Sequence, residues 1–388
     1  QKKEPGGKLP WAGAGRCNLS HSGEIEELLR HYHGGERPGE AARFLRPALH
    51  SFSNRHLALF FATKGLPLVS DPQGRLFPKT ERGRDVLALL LSEVHRLGVA
   101  LRLETQVRAI RVDRTGFRVE GVGDPPRLGR TVVLATGGRA RNPFCNGYEL
   151  AASLGHTIAP LRPALVPVRV EPSAFAPFVS CAGISLPNTQ VTLLRQGKSL
   201  ARKKGDVLFT HQGLSGPAIL DLSREVEPGD VLKVALAPGL TRSQADGDLV
   251  RAAAERGKFL VATVLHEFGL PRRLARALLA AVGVDPSLRA AELPREIRKL
   301  LVESLVEGHP FPVADVGGWE EAMVTRGGVC LREVHPHTME SRIVPGLFFA
   351  GEILDIDGES GGYNLQAAFS TGFLAGQSAA RAALARKN

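Results

Sequence analysis

Apolar and polar positions recur along this chain with several different periods, and each period marks a different kind of element. Residues 131–136 and 347–350 are short, nearly unbroken apolar runs that stop at Gly137-Gly138 and at Gly351, the pattern of strands buried on both faces of a parallel sheet. Residues 85–97 repeat apolar positions at helical spacing and end at Gly98, which predicts an amphipathic helix. Residues 66–69 and 74–78 predict a hairpin. Residues 99–103, 105–110 and 117–119 predict strands, the later ones in a β-meander. Between 23 and 49 the pattern is mixed helix and loop.

From Pro160 the texture changes. Short alternating segments at 191–194, 207–209 and 231–236, separated by glycine turns, predict a small antiparallel barrel or sandwich. Helical periodicity then dominates 249–254, 260–268, 274–282 and 297–306, with Pro271, Pro286 and Pro294 beginning or separating the helices. Residues 324–331 return to the first texture. The expected architecture is therefore α/β: a discontinuous Rossmann-like domain, 1–162 and 322–388, with an inserted β-barrel, 163–240, and a small helical subdomain, 241–321.

Composition sets bounds on this picture. With 388 residues and 43% hydrophobic content, the chain can build a full core and more than one domain. The formal net charge of +11 comes mostly from arginine. The densest basic cluster, Arg195, Lys198, Arg202, Lys203 and Lys204, has no interleaved aromatics, so a solvated hairpin tip accounts for it and nucleic acid is not indicated. An anionic dinucleotide such as NADPH would also benefit from the positive field. Cys17, Cys145, Cys181 and Cys330 show no CxxC pairing or metal-like spacing, which fits reduced thiols and a cytoplasmic setting. No metal is expected: His31 and His33 are two apart but lack a nearby carboxylate set, and read as surface histidines. No membrane partner is expected either, since no apolar run approaches the ~20 residues that span a bilayer. A homo-oligomer is left open.

Candidate chemistry concentrates in residues 345–376. The apolar run ends at Gly351, and a loop with Glu352, Asp355, Asp357 and Glu359 follows. Gly361-Gly362 then open a helix from about Asn364, whose cationic residues Arg381, Arg386 and Lys387 come only at the far end, where the macrodipole favours them. A helix start with two glycines offers unpaired N–H groups with little side chain in the way, so an electron-rich ligand edge can approach closely. In a flavin site that edge is the pyrimidine end of the ring, and a carboxylate at the strand end suits sugar or ribityl hydroxyls. An ordinary βα corner with a glycine turn has the same pattern. Upstream, Cys17 reads as a packed small residue rather than a redox thiol, because no second cysteine is near in sequence.

The run Gly351-Glu352, Leu354-Asp355, Asp357-Gly358 and Gly361-Gly362-Tyr363-Asn364-Leu365-Gln366 resembles the carboxy-terminal FAD motif of bacterial NAD(P)/FAD-dependent flavoproteins of the BaiN and aminoacetone-oxidase type. Thr325-Arg326-Gly327-Gly328-Val329 and Thr338-Met339-Glu340-Ser341 follow the same pattern, as do residues 11–20, with Gly13, Gly15, Arg16, Cys17 and Asn18, and residues 209–220. The resemblance implies an FAD-binding domain that takes hydride from NAD(P)H onto flavin N5 and passes it to a small organic substrate or to oxygen. It implies cofactor contacts from Gly13, Gly15, Arg16 and Asn18, from the Val107 backbone, and from Ala135, Thr136 and Gly137. It implies the same of Gly351, Glu352, Asp357, Gly361, Gly362, Tyr363, Asn364 and Leu365. His211 or Tyr363 would supply a proton; for His211, a purely structural turn packing at 209–217 fits as well, and no acid stands at triad-like spacing from His211 and Ser215.

Two departures qualify these implications. The GxGxxG unit and its ribose-binding acid would precede residue 1, and Glu4 falls too late to replace that acid. Only residues 139–146 separate Gly138 from Gly147-Tyr148, a shorter loop than the resemblance leads one to expect, which removes contacts over cofactor or substrate. The alternatives are a flavoprotein without turnover, binding RNA or a protein partner through its basic surface, and a fragment unable to retain FAD.

Overall fold

The computed structural model describes residues 5–9, 12–13, 15–142 and 145–385. Glu4, Trp11, Pro143, Phe144, Arg386 and Lys387, which enter the expectations above, lie outside the described residues. The chain divides into two compact units, one formed by Gln1–Pro163 with Met323–Asn388 and the other by Ala164–Ala322. No helix among the described residues is long and apolar enough to cross a membrane.

The first unit is built on a parallel pair of strands, Leu347–Phe349 and Val132–Leu134, in the register Leu347 to Val132, Phe348 to Val133 and Phe349 to Leu134. Leu347, Phe348 and Phe349 are fully buried, as the unbroken apolar run predicts. The long helix Tyr363–Ala385 lies against this pair and against the helix Glu40–Ser51, and its face bearing Ala367, Leu374, Ala375 and Ala379 joins their core. A three-stranded meander, Val107–Asp113, Gly116–Gly121 and Arg127–Gly129, and the helix Gly83–Arg96 follow the predicted pattern. The predicted hairpin is Leu68–Ser70 with Arg75–Pro78, extended on one side by Ser20–His21.

Residues 99–103 form no strand, contrary to expectation, and leave Val99, Leu101 and Leu103 exposed. Alternation makes a segment able to pair, but a strand exists only where a neighbouring edge takes its backbone hydrogen bonds, and none is offered to this segment among the described residues.

Two glycines sit inside the long helix without a packing reason. A Cβ added at Gly376 would meet nothing within 4 Å, and the site is exposed. Because glycine costs ~1 kcal/mol against alanine in a helix interior, Gly376→Ala is expected to raise the thermal midpoint of this unit by about 2–4 °C, which a circular dichroism melt would check.

The second unit closes a six-stranded antiparallel barrel in the order Val168–Val170, Gly213–Ser215, Lys198–Phe209, Ser185–Arg195, Val231–Val234 and His309–Val316, the last pairing back with the first. Phe175, Phe178, Phe209 and Phe311 fill its centre. The helices Arg242–Glu255, Val261–Glu267, Arg272–Ala281 and Arg295–Glu303 share one continuous core with the barrel. The strand His309–Val316 escapes a reading by alternation because Pro310 and Pro312 interrupt it, and proline ordinarily argues against a strand. The basic cluster is a hairpin tip, as expected, turning at Gln196 and Gly197. Its residue Arg195 holds the buried Asp230 at 2.9 Å.

Candidate functional site

Glu352, at the end of the buried strand, is the junction of the first unit's glycine turns. Its two carboxylate oxygens accept from Lys8 Nζ at 3.1 and 3.0 Å, and Oε1 also accepts from the Thr325 N–H at 2.9 Å. Thr325 Oγ1 in turn accepts from the Ala140 N–H at 3.0 Å, and the Tyr148 hydroxyl donates to the Glu352 carbonyl at 3.2 Å. A Cβ on Gly138 would come within 2.4 Å of Thr325 Oγ1 and 2.5 Å of Glu352 Oε1. The Gly137-Gly138 turn can therefore lie down on this carboxylate only because it has no side chain there. Ala135 and Thr136, at the strand's end, are exposed.

The helix start is equally close-packed. Gly361 and Gly362 both have positive φ, 132° and 95°, and both are half-buried. The Asn364 side chain closes the turn, its Oδ1 accepting from the Gly358 N–H at 2.8 Å and its Nδ2 donating to the Gly358 carbonyl at 2.7 Å. Buried Gln366 accepts from Ser20 Oγ at 2.6 Å and donates to Ser370 Oγ and the Phe52 carbonyl, tying the helix to the segment that follows the first glycine turn. Leu365 packs with Leu9, Ala12 and Phe369 on a separate small core.

Two openings flank this corner. Gly351, Glu352, Leu354, Asn364, Ala367 and Thr371 border a narrow groove. A roomier cavity of about 270 Å³ is lined by His21, Glu27, Leu28, Arg30, His31 and Tyr363. In it the Tyr363 ring stacks with His31, at 4.4 Å and 17°, and with His21, at 5.4 Å and 15°. The Tyr32 hydroxyl donates to the Tyr363 carbonyl at 2.8 Å, and burial raises the Tyr32 phenol above its ordinary range.

The remaining predicted residues fall in several places. A Cβ on Gly13 would come within 2.9 Å of the Asn18 peptide nitrogen, Gly15 accepts from the Gly83 N–H at 2.8 Å, and Arg16 stacks over Phe77 and pairs with Glu81. Cys17 is fully buried at φ 62°, and burial pushes its thiol up to about 12, so it packs rather than reacts. The Val107 carbonyl accepts from Asn146 Nδ2 at 2.6 Å. Asp357 is buried in a two-residue strand paired with His33, and burial raises the neighbouring Asp355 carboxyl, which accepts from the Gly35 N–H at 3.0 Å. His211 is exposed at the turn between two barrel strands of the other unit.

The reading of His31 and His33 as surface histidines needs correction. Both are half-buried and face Glu359, which lies more than 300 residues away in sequence. The partnerships of Lys8, Thr325 and Glu359 also escaped sequence reasoning. Lys8 and Thr325 stand in quoted or adjacent motifs, but nothing in a one-dimensional pattern says that they meet at Glu352. No group of three or more His, Cys, Asp or Glu among the described residues could hold a metal ion.

Gly351, Glu352 and Asn364 line a groove of only about 10 Å³ that runs along the helix flank to Thr371. Among the described residues, Arg16 Nε and Asn18 Oδ1 are buried without hydrogen-bond partners, polar atoms of the kind a bound polar ligand satisfies.

Comparison with known proteins agrees. A family described as HI0933-like protein Rossmann domain matches residues 1–378. The chain is 33% identical to the 3-dehydro-bile acid delta(4,6)-reductase of Clostridium scindens, over 98% of this chain and 91% of that protein. It is 28% identical to the ribosomal RNA dihydrouridine synthase of Escherichia coli, over 97% of this chain and 89% of that protein. Among solved structures, E. coli quinol fumarate reductase FrdA aligns with a TM-score of 0.45 at 17% identity, covering 96% of this chain and 63% of that one. The chain belongs to the HI0933-like Rossmann family, the FAD-dependent oxidoreductase group that its glycine motifs resemble.

Proposed function

We propose that the protein is an FAD-dependent reductase that takes hydride from NAD(P)H and delivers it to a carbon–carbon double bond conjugated to a carbonyl. The observation that carries this reading is the pair of buried polar atoms left without partners among the described residues, Arg16 Nε and Asn18 Oδ1, beside the glycine turn that the resemblance assigns to the cofactor. FAD, when bound, supplies the two-electron chemistry, and the protein supplies placement and electrostatics. Lys8 and the Thr325 N–H hold the Glu352 carboxylate at the groove, and the helix start stabilises negative charge on whatever lies against it. The acceptor class follows from two relatives: a bile acid delta(4,6)-reductase and a dihydrouridine synthase are both named for saturating such a double bond.

Half-reactions test this directly. Flavin absorbance of the FAD-loaded protein is expected to bleach anaerobically with NADPH or NADH and to return on adding 2-cyclohexen-1-one or a uridine-containing ribosomal RNA transcript. Failure to bleach removes the hydride donor, and recovery with oxygen alone removes the acceptor class. Recovery with RNA but not with the enone identifies a nucleic-acid substrate. Glu352→Gln, which strips the charge from a carboxylate bonded to an ammonium and a peptide N–H, is expected to weaken FAD retention by about tenfold or more in a fluorescence titration.

A further inference from the structure

His31, which lines the cavity beside the helix start, carries a carboxylate partner, Glu359, that the reading above does not use. His31 Nδ1 lies 2.6 Å from Glu359 Oε2, and the Glu359 N–H donates to the His31 carbonyl at 3.0 Å, so the pair is fixed through side chain and main chain together. The second carboxylate oxygen stands 3.6 Å from His33 Nε2, a buried ring nitrogen with no hydrogen-bond partner among the described residues. The His31 ring lines the cavity face to face with Tyr363.

A carboxylate bonded to one imidazole nitrogen sets the ring's orientation and leaves the other nitrogen as the end that exchanges a proton. That end, His31 Nε2, makes no hydrogen bond among the described residues, and about a third of the side chain is exposed, so solvent can recharge it. His21, which also stacks with Tyr363, differs. Its Nδ1 accepts from the Gly23 N–H at 3.3 Å, its Nε2 meets the Gln73 carbonyl at 2.8 Å, and burial lowers its pKa, so both nitrogens are committed to structure.

We propose that His31, oriented by Glu359, is the proton donor that completes reduction of a conjugated carbonyl acceptor bound in this cavity. The inference rests on the reductase reading. Hydride adds to the β-carbon, and the electron pair of the double bond moves onto the α-carbon as an enolate. A new C–H bond then forms there with the proton from His31 Nε2, leaving a neutral ring that solvent reprotonates. The net change is NAD(P)H, one proton and C=C converted to NAD(P)⁺ and CH–CH.

The test uses His31→Gln and Glu359→Gln in the full chain. With 2-cyclohexen-1-one, reoxidation of the reduced protein is expected to slow about 100-fold in both. Reoxidation by ferricyanide, which takes electrons without a proton, is expected to keep its rate. Full-rate enone turnover in either variant, or an equal loss with ferricyanide, overturns the assignment. A second readout needs no turnover: 4-nitrophenol, a planar enolate mimic, is titrated by its absorbance shift with and without flavin. Its dissociation constant is expected to rise about tenfold in His31→Gln, and an unchanged value overturns the proposal. If the wild-type protein bleaches but is reoxidised by neither 2-cyclohexen-1-one nor the RNA transcript, the reductase reading fails, and the 4-nitrophenol titration still decides whether His31 binds an enolate-like oxygen.

Discussion

Gly362→Ala is expected to destabilise the unit that carries it by about 3 kcal/mol and to cost the protein its flavin. The residue sits at φ +95°, and a Cβ built on it would lie 2.4 Å from the Ser20 carbonyl oxygen and 2.6 Å from both the carbonyl carbon and the peptide nitrogen of that residue. These are backbone atoms, so no side-chain rotation relieves the clash. Ser20 is held in turn by its pairing to Leu76 and by its hydroxyl bond to Gln366. Overpacking costs ~1–3 kcal/mol and the left-handed backbone adds ~1–2 kcal/mol for a residue with a Cβ. At about 2–4 °C per kcal/mol, the thermal midpoint should fall by roughly 6–12 °C. The same displacement opens the turn at the groove, so FAD fluorescence should be released below the unfolding transition. Gly376→Ala on the same helix is the control, and a loss under about 0.5 kcal/mol at Gly362 would show that the helix start does not depend on this contact.

Acidification is expected to weaken the barrel unit through His309. This ring is buried against Phe178 and Phe311, at 5.2 and 5.0 Å, and its Nδ1 meets Ser304 Oγ at 3.2 Å. Burial without a countercharge lowers its pKa from 6.5 to about 4. The sign follows from linkage: the unfolded chain takes up the proton near pH 6.5, whereas the folded protein does so only near pH 4. The stabilisation present above pH 6.5 is therefore lost as pH falls through that window, by on the order of 3 kcal/mol in total. Urea midpoints measured by fluorescence at pH 7 and pH 4.5 should differ less in His309→Gln than in the wild type. Equal slopes would show that His309 is not the group responsible. His21 and His156, which burial also shifts downward, belong to the other unit and remain in the variant.

The site was legible in proportion to how local its parts are. The strand 347–349, the stop at Gly351, the paired glycines and the helix behind them are neighbours in sequence, and periodicity with glycine placement suffices to predict their order. Cys17 was legible for a similar reason, since a cysteine with no second cysteine near it in sequence has no local redox partner, and it packs. The segment 99–103 was misread because its alternation specifies a capacity to pair without specifying an edge. The strand 309–316 was hidden because two prolines mask its alternation, and the barrel accepts them through pairing supplied by 168–170 and 231–234.

Taken alone, the order of residues settled the α/β class, the antiparallel insertion with its helices, the glycine turns and the family to which the chain belongs, because each depends on spacings shorter than one element. Three-dimensional packing decided which charges meet. Lys8 reaches Glu352 across 344 positions and His31 reaches Glu359 across 328. Such contacts carry no periodic signature: a lysine or histidine in a loop reads as a solvated group until folding brings a carboxylate to within about 3 Å of it, and only then does its environment fix what it can bind or protonate.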